Sequence, residues 1–275
     1  MCNTTEYMSV PLCGIRRLLV VVTKLSKNFP PFTSSKQLEN FIFTMAVSFA
    51  SQPDYMRDPR KHHFSPYADN GGTTVAIAGD DFVMVASDTR LSRGFSIFSR
   101  EQSKVFGLTS KTMLASTGCW ADVLTLNKVL QARLTMYSHE HHDVMSTTAI
   151  AQLLSTMLYW KRFFPYYVSN ILAGLDEEGK GVVYHYDPVG HMEKLTYSAS
   201  GASVAQIQPL LDNQIDAKNM KDVDPPKMTK ELAHQLIHDS FVSAAERDIN
   251  TGDGVIIHTI TKDGTTEETI KLRRD

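Results

Sequence analysis

Three groups of residues in this chain could do chemistry. The first is spread along the sequence: Gly71-Gly72-Thr73-Thr74, Asp88, Lys104, Ser116-Thr117-Gly118 and the stretch Glu246-Arg247-Asp248-Ile249-Asn250-Thr251-Gly252-Asp253-Gly254. It supplies hydroxyls, carboxylates, an ammonium and glycine N–H groups, the kinds of group that nucleophilic catalysis uses. The second is His139-Glu140-His141-His142-Asp143, which offers metal-ligand types. Adjacent positions at a helix end do not converge on one ion without ligands from elsewhere, so the expectation there is a solvated surface and no metal. The third is Ser200-Gly201-Ala202-Ser203, between a strand and a helix, where backbone N–H groups can hold an anion. An ordinary helix cap is the plainer reading of it. No Gly-x-Ser-x-Gly elbow, phosphate loop or dinucleotide fingerprint is present, and no cofactor is expected.

The elements that must position these groups follow from period and punctuation. Thr73–Ala78 and Phe82–Ser87 are short apolar runs around Gly79-Asp80-Asp81 and read as a hairpin. Lys104–Leu108 and Thr112–Ser116 make a second strand pair. The period then becomes helical over Ala121–Tyr137 and Thr147–Phe163, with Ser146 or Thr147 as a cap. Strands return at Asn170–Leu175, Gly181–Tyr186 and near Leu195–Ala199, followed by a short helix over Ser203–Leu211. A polar loop over Asp212–Met228 leads to a long amphipathic helix, Thr229–Arg247, and a last hairpin, Gly254–Thr261 with Thr265–Leu272. Strands and helices in blocks do not give a parallel βαβ sheet. They fit an α+β protein in which two antiparallel sheets pack together with helices outside.

Composition narrows the function classes. The chain has 275 residues, 42% hydrophobic and 21% charged, the profile of a folded domain. Lys plus Arg total 28 against 30 for Asp plus Glu, a net charge of −2, which gives no basis for nucleic-acid binding by a basic surface. Three scattered cysteines, Cys2, Cys13 and Cys119, make no disulfide framework and suggest a reducing compartment. No apolar run reaches the roughly 18 to 20 residues of a membrane helix. The runs Leu18–Val22 and Phe41–Ala50 are respectively too short and too deep for a targeting signal. Residues 51–70 are polar and proline-punctuated and read as extended chain.

From about Phe64 to the C-terminus the sequence resembles the proteasome β-type subunits, members of the N-terminal nucleophile hydrolases. Phe64-Ser65-Pro66-Tyr67, Asn70-Gly71-Gly72-Thr73, Ser87-Asp88-Thr89-Arg90-Leu91-Ser92, Arg162-Phe163-Phe164-Pro165-Tyr166-Tyr167, Gln208-Pro209-Leu210-Leu211-Asp212-Asn213-Gln214 and Ala244-Ala245-Glu246-Arg247-Asp248 carry it. The resemblance implies a four-layer αββα sandwich of two antiparallel sheets flanked by helices. It divides the chain into an N-terminal extension and pro-segment, 1–62, and a β-type domain, 63–275.

Active members of that family free an N-terminal Thr by self-cleavage after Gly. Its hydroxyl attacks, and its α-amine, with a pKa near about 8, is the base. An Asp and a Lys stand sixteen and thirty-two positions after that Thr, and a Gly N–H holds the oxyanion. Counted back from Asp88 and from Lys104, both intervals arrive at Gly72. The resemblance therefore implies a pocket of Gly72, Asp88, Lys104, Gly118, Asp248 and Thr251 with no nucleophile, Gly118 standing for the oxyanion Gly and Thr251 for a Ser. Gly201 falls where relatives carry another pocket serine. Asp88 and Lys104 are expected to form an ion pair closing this vestigial pocket. The alternative is an active Thr73, exposed by cleavage at Gly72-Thr73. One residue along a strand is about 3.3 Å and the opposite face, which argues against it.

Without a nucleophile, trimming falls to active neighbours, and the matching cut lies around His62-His63. The expected function is that of a structural subunit of the 20S proteasome core. Such a subunit serves ring assembly and thereby ATP- and ubiquitin-dependent protein degradation by the whole complex. The implied partners are α and β subunits in a 28-subunit core of four seven-membered rings, with beta-5-type and beta-7-type neighbours and regulatory particles indirectly. The implied location is cytoplasm and nucleus. Asp212–Met228 and Lys271-Leu272-Arg273-Arg274-Asp275 are the expected contact segments. A free-standing binding module is the remaining reading.

Overall fold

A computed structural model describes residues 65–218, 220–221 and 225–274. The expected extension 1–62 and the cut region His62-His63 lie outside the described residues. The elements are β1 (Thr73–Ala78), β2 (Phe82–Asp88), β3 (Leu91–Arg93), β4 (Ser96–Ser99), β5 (Val105–Thr109), β6 (Thr112–Gly118), α1 (Trp120–His141), α2 (Thr147–Trp160), β7 (Val168–Leu175), β8 (Gly181–Tyr186), β9 (Met192–Leu195), β10 (Tyr197–Gly201), α3 (Val204–Gln214), α4 (Lys230–Arg247), β11 (Gly254–Thr261) and β12 (Gly264–Lys271). The strands form two five-stranded sheets, ordered β10-β1-β2-β11-β12 and β5-β6-β7-β8-β9, and a β3-β4 hairpin. All the pairings are antiparallel.

Alternation along the strands sorts the core into three clusters. Val75, Ile77, Met84, Ala86, Val255 and Ile257 turn one face of the first sheet to Ile207 and Leu211 of α3 and to Leu236, Ile237 and Phe241 of α4. The opposite face, through Ala76, Val83, Val85 and Ile260, meets Ala115, Ile171, Ala173 and Val183 of the second sheet. The far side of that sheet, through Leu114, Leu172, Val182 and Tyr184, packs on Val123, Leu126 and Leu130 of α1 and on Ile150, Leu154 and Leu158 of α2. Strands buried on both faces lose the apolar-polar pattern, which is why β2 reads as a nearly continuous apolar run. Phe241 has no exposed surface, and truncating such a residue to Ala costs about 3–5 kcal/mol.

Helix starts are fixed by side chains. Ser146 Oγ accepts from Ala149 N ahead of α2, and Thr229 Oγ1 accepts from Leu232 N ahead of α4. Cys119 gives α1 no side-chain cap. Asn70 supplies it instead, its Oδ1 accepting from Trp120 N at 2.9 Å.

Three differences from the sequence expectation bear on the site. The strand expected near 195–199 is two strands on either side of Thr196, β9 at an edge of the second sheet and β10 at an edge of the first. The helix expected over Ser203–Leu211 runs Val204–Gln214, so the expected loop begins three residues later than Asp212. The β3-β4 hairpin was not expected; its two strands have three and four residues, too short to show a period.

Candidate functional site

β1, β2 and the start of β5 bring Gly72, Asp88 and Lys104 together. Lys104 Nζ donates to Asp88 Oδ1 at 2.9 Å, Asp88 O at 2.9 Å and Arg90 O at 2.7 Å, which uses all three of its protons. The side chains are 1% and 0% exposed. Asp88 Oδ1 also accepts from Thr73 N at 2.8 Å, and Oδ2 from Arg90 N at 3.3 Å. Burial pushes the Asp88 carboxyl above its usual range, against the Lys104 charge and the N–H groups of Thr73 and Arg90.

Gly72 has φ +89°, and a Cβ built on it would lie 2.3 Å from Lys104 Cε and 2.8 Å from Cδ. The lysine stem occupies the space a side chain at position 72 would need. Gly72 O accepts from Ala202 N at 2.9 Å. The Gly72-Thr73 peptide group is thus held at its oxygen by Ala202 and at its N–H by Asp88.

Thr73 points to a different set of groups. Its Oγ1 accepts from Ser203 N at 3.1 Å and shares a 2.7 Å hydrogen bond with Thr251 Oγ1. Thr251 Oγ1 and Ser203 Oγ each donate to Asp248 Oδ2 at 2.7 Å. Thr73 and Thr251 have no exposed surface and Ser203 is buried. The structure therefore splits the expected pocket into two adjoining networks, Gly72 with Asp88 and Lys104, and Asp248 and Thr251 with Thr73 and Ser203.

The backbone before Gly72 is stitched into the neighbouring cleft. Asn70 N donates to Gly118 O at 3.1 Å, Ser92 N donates to Asn70 O at 3.2 Å, and Asn70 Nδ2 donates to Ser92 O at 3.2 Å. Asp69, Gly71, Thr117, Gly118, Gly201 and Ala202 line a cavity of about 230 Å³. Gly118 has φ +104°, a conformation open to glycine, and a Cβ on it would meet Tyr167 O at 2.7 Å. A Cβ at Gly201 would lie 2.2 Å from Gly72 O, so the position expected to lack a serine has no room for one.

A third buried network braces the other end. Arg90 Nε donates to Asp253 Oδ2 at 2.7 Å, Arg90 Nη1 donates to Ile249 O at 2.8 Å, and Arg100 pairs with Asp253 Oδ1. Burial works to raise Asp253, but hydrogen bonds and charge from Arg90 and Arg100 outweigh it and hold the carboxyl below the usual range. These contacts tie the residues flanking the β3-β4 hairpin to the loop that carries Asp248 and Thr251.

A family model described as Proteasome subunit matches residues 68–260. The chain belongs to the proteasome subunit family. It is 56% identical over 232 residues to the proteasome subunit beta type-1 of Drosophila melanogaster, covering 83% of this chain and 99% of that protein. It is 48% identical over 218 residues to the beta type-1 subunit of Arabidopsis thaliana, covering 78% and 97%. The proteasome subunit beta type-6 of Saccharomyces cerevisiae is 42% identical over 241 residues, covering 84% and 99%.

In this proteasome subunit, the sequence pointed to Ser203 and Asp253 without their partners, and gave Asn70 and Arg90 no role of their own. Ser203 was read as a helix cap, yet it makes no side-chain cap bond to α3 and reaches Asp248 instead. Asn70 and Asp253 stood inside the quoted motifs, but their partners lie 22 to 163 residues away, where spacing gives no signal. His139, His141 and His142 are exposed at the end of α1. Among the described residues no group of three or more His, Cys, Asp or Glu is placed to hold a metal ion.

Proposed function

We propose that this proteasome subunit is a non-catalytic member of the 20S core, retained for assembly of the β ring. The observation that carries the proposal is the filled space at Gly72: the Lys104 stem lies where a nucleophilic side chain would stand. Lys104 has no proton left to offer a reacting group, because Asp88 and Arg90 accept all three. Asn70 is joined by backbone hydrogen bonds to Gly118 and Ser92, and Asp69 and Gly71 line the cavity beside Gly118, so the chain upstream of Gly72 walls that cavity. Removing an essential nucleophile costs several orders of magnitude in rate, and no neighbouring group here replaces it.

The Thr73 alternative finds no support in the geometry. Its hydroxyl is engaged by Ser203 and Thr251, and the peptide bond that would have to break is held at both ends. The three apolar clusters support the finer reading of the fold as a helix-sheet-sheet-helix stack of the N-terminal nucleophile hydrolase kind. Within the core, the proposed partners are other α and β subunits in seven-membered rings, with beta-5-type and beta-7-type neighbours, in cytoplasm and nucleus. The test is an electrophilic peptide probe that labels free N-terminal threonines, applied to purified native complexes. The proposal expects label on other subunits and none on this chain. Label on Thr73 contradicts it.

A further inference from the structure

We propose that Asn70 is a latent deamidation site, held shut by the folded chain and converted to aspartate or isoaspartate when the segment around it opens. Asn70-Gly71 is the only Asn-Gly pair in the sequence. Asparagine is a thermolabile residue, and a following glycine leaves its own amide nitrogen unshielded beside the carboxamide. The reaction needs only water. Gly71 N attacks Asn70 Cγ, the Cγ–Nδ2 bond breaks, and ammonia leaves with the proton from Gly71 N. Water then opens the resulting succinimide at either carbonyl, giving aspartate or isoaspartate. The fold itself demands the labile pair. Gly71 has φ +65°, and a Cβ on it would lie 2.7 Å from Asn250 Cβ, so no bulkier residue fits after Asn70.

In the folded chain every group that must move is engaged. Asn70 is buried, and both ends of its carboxamide are fixed: Oδ1 accepts from Trp120 N at 2.9 Å, and Nδ2 donates to Ser92 O at 3.2 Å. Its main chain is fixed as well, N donating to Gly118 O at 3.1 Å and O accepting from Ser92 N at 3.2 Å. The attacking group, Gly71 N, donates its proton to Asp69 Oδ1 at 2.9 Å. Attack requires the carboxamide to leave Trp120 and Ser92, and Gly71 N to leave Asp69. Upstream, the Tyr67 hydroxyl donates to Pro165 O at 2.8 Å and anchors the same segment. Deamidation therefore waits for a local opening that breaks several hydrogen bonds together.

Either product keeps the segment from closing as before. Aspartate still offers an oxygen to Trp120 N, but it turns a carboxylate oxygen toward Ser92 O where a donor stood, one residue from the Asp69 carboxylate. Isoaspartate routes the main chain through Cβ, so the N–H and C=O that match Gly118 and Ser92 fall out of step. The modification makes a transient opening permanent and marks chains whose segment has stood open. It concerns this chain's own fold and stands apart from the assembly reading.

The experiment incubates the full-length chain, purified in its native assembly, beside the same chain unfolded in guanidinium chloride, at one mildly alkaline pH. Peptides carrying position 70 are separated over time, and their Asn, Asp and isoAsp forms are counted by mass spectrometry. In the unfolded chain Asn70 is expected to be the first asparagine to react. In the folded chain its rate is expected to be at least about tenfold lower, because opening precedes attack. Tyr67→Ala removes the upstream anchor and should raise the folded rate about threefold or more, the effect of one lost hydrogen bond, with the unfolded rate unchanged. Asn70→Asp copies one product and should be cut by added protease within residues 65–72 faster than wild type. Equal rates in folded and unfolded chains overturn the proposal, as does another asparagine reacting first in the unfolded chain. So does a Tyr67→Ala chain whose folded rate is unchanged, or an Asn70→Asp chain cut no faster than wild type.

Discussion

Replacing Lys104 by Met removes a buried ammonium while keeping most of the apolar stem that fills the space at Gly72. Three acceptors lose a charged donor, and Asp88, with no exposed surface, loses the cation that balances it. Breaking a buried ion pair from one side costs about 3–5 kcal/mol. For a domain of this size that is a fall in Tm of about 6–20 °C. The pH dependence carries its own sign. Burial already pushes the Asp88 carboxyl up, and loss of Lys104 moves it further. An acid whose folded pKa exceeds its unfolded value of about 3.9 binds its proton more tightly when folded, so stability rises as pH falls through the folded value. The Lys104→Met deficit is therefore greatest at neutral pH and shrinks on acidification. Adding Asp88→Asn removes the orphaned charge and returns about 1–3 kcal/mol. Urea unfolding of the full-length wild type, both single variants and the double variant measures these terms. A Lys104→Met variant within about 1 kcal/mol of wild type, or one whose deficit grows on acidification, would refute the reasoning.

Gly72→Thr is expected to destabilise by about 2–5 kcal/mol, from the strained backbone and the collision with Lys104, and to gain no peptidase activity; a stable variant with turnover would contradict both. Thr73→Val leaves the buried Ser203 N–H without its acceptor, so thermal unfolding is expected to show a loss of about 1–3 kcal/mol, with peptidase rates of assembled complexes unchanged. Burial pushes His258 and His185 below their usual range, opposed by Glu267 for the first and by Glu193 and Asp187 for the second. Below about pH 6.5 the unfolded chain gains protons that the folded chain does not, so these histidines lower stability on acidification. A His185→Gln, His258→Gln chain should show a flatter urea midpoint between about pH 7 and about pH 5 than wild type, and equal slopes would remove this account.

Legibility in the sequence followed covalent register. Asp88 and Lys104 end or precede strands whose period is plain, and counting back from both to Gly72 identified the position whose side-chain space Lys104 fills. What escaped depends on chain segments meeting across the fold. Ser203 looked like a cap because it precedes a helix, yet Asp248, 45 residues away, takes its hydroxyl. Asn70 caps a helix 50 residues downstream, which no local pattern encodes. β9 and β10 read as one strand because Thr196, the residue between them, is no turn former, although the chain changes sheets there. Arg90 follows β2 as an ordinary polar residue in the sequence, and only the pairing of β2 with β11 brings it to Asp253.

The central claim is that the Gly72-Thr73 bond stays whole and carries no catalysis. Intact mass and N-terminal sequencing of this chain from purified native complexes test it directly. The account predicts a first residue upstream of Gly72, near His63. A chain beginning at Thr73 would contradict it.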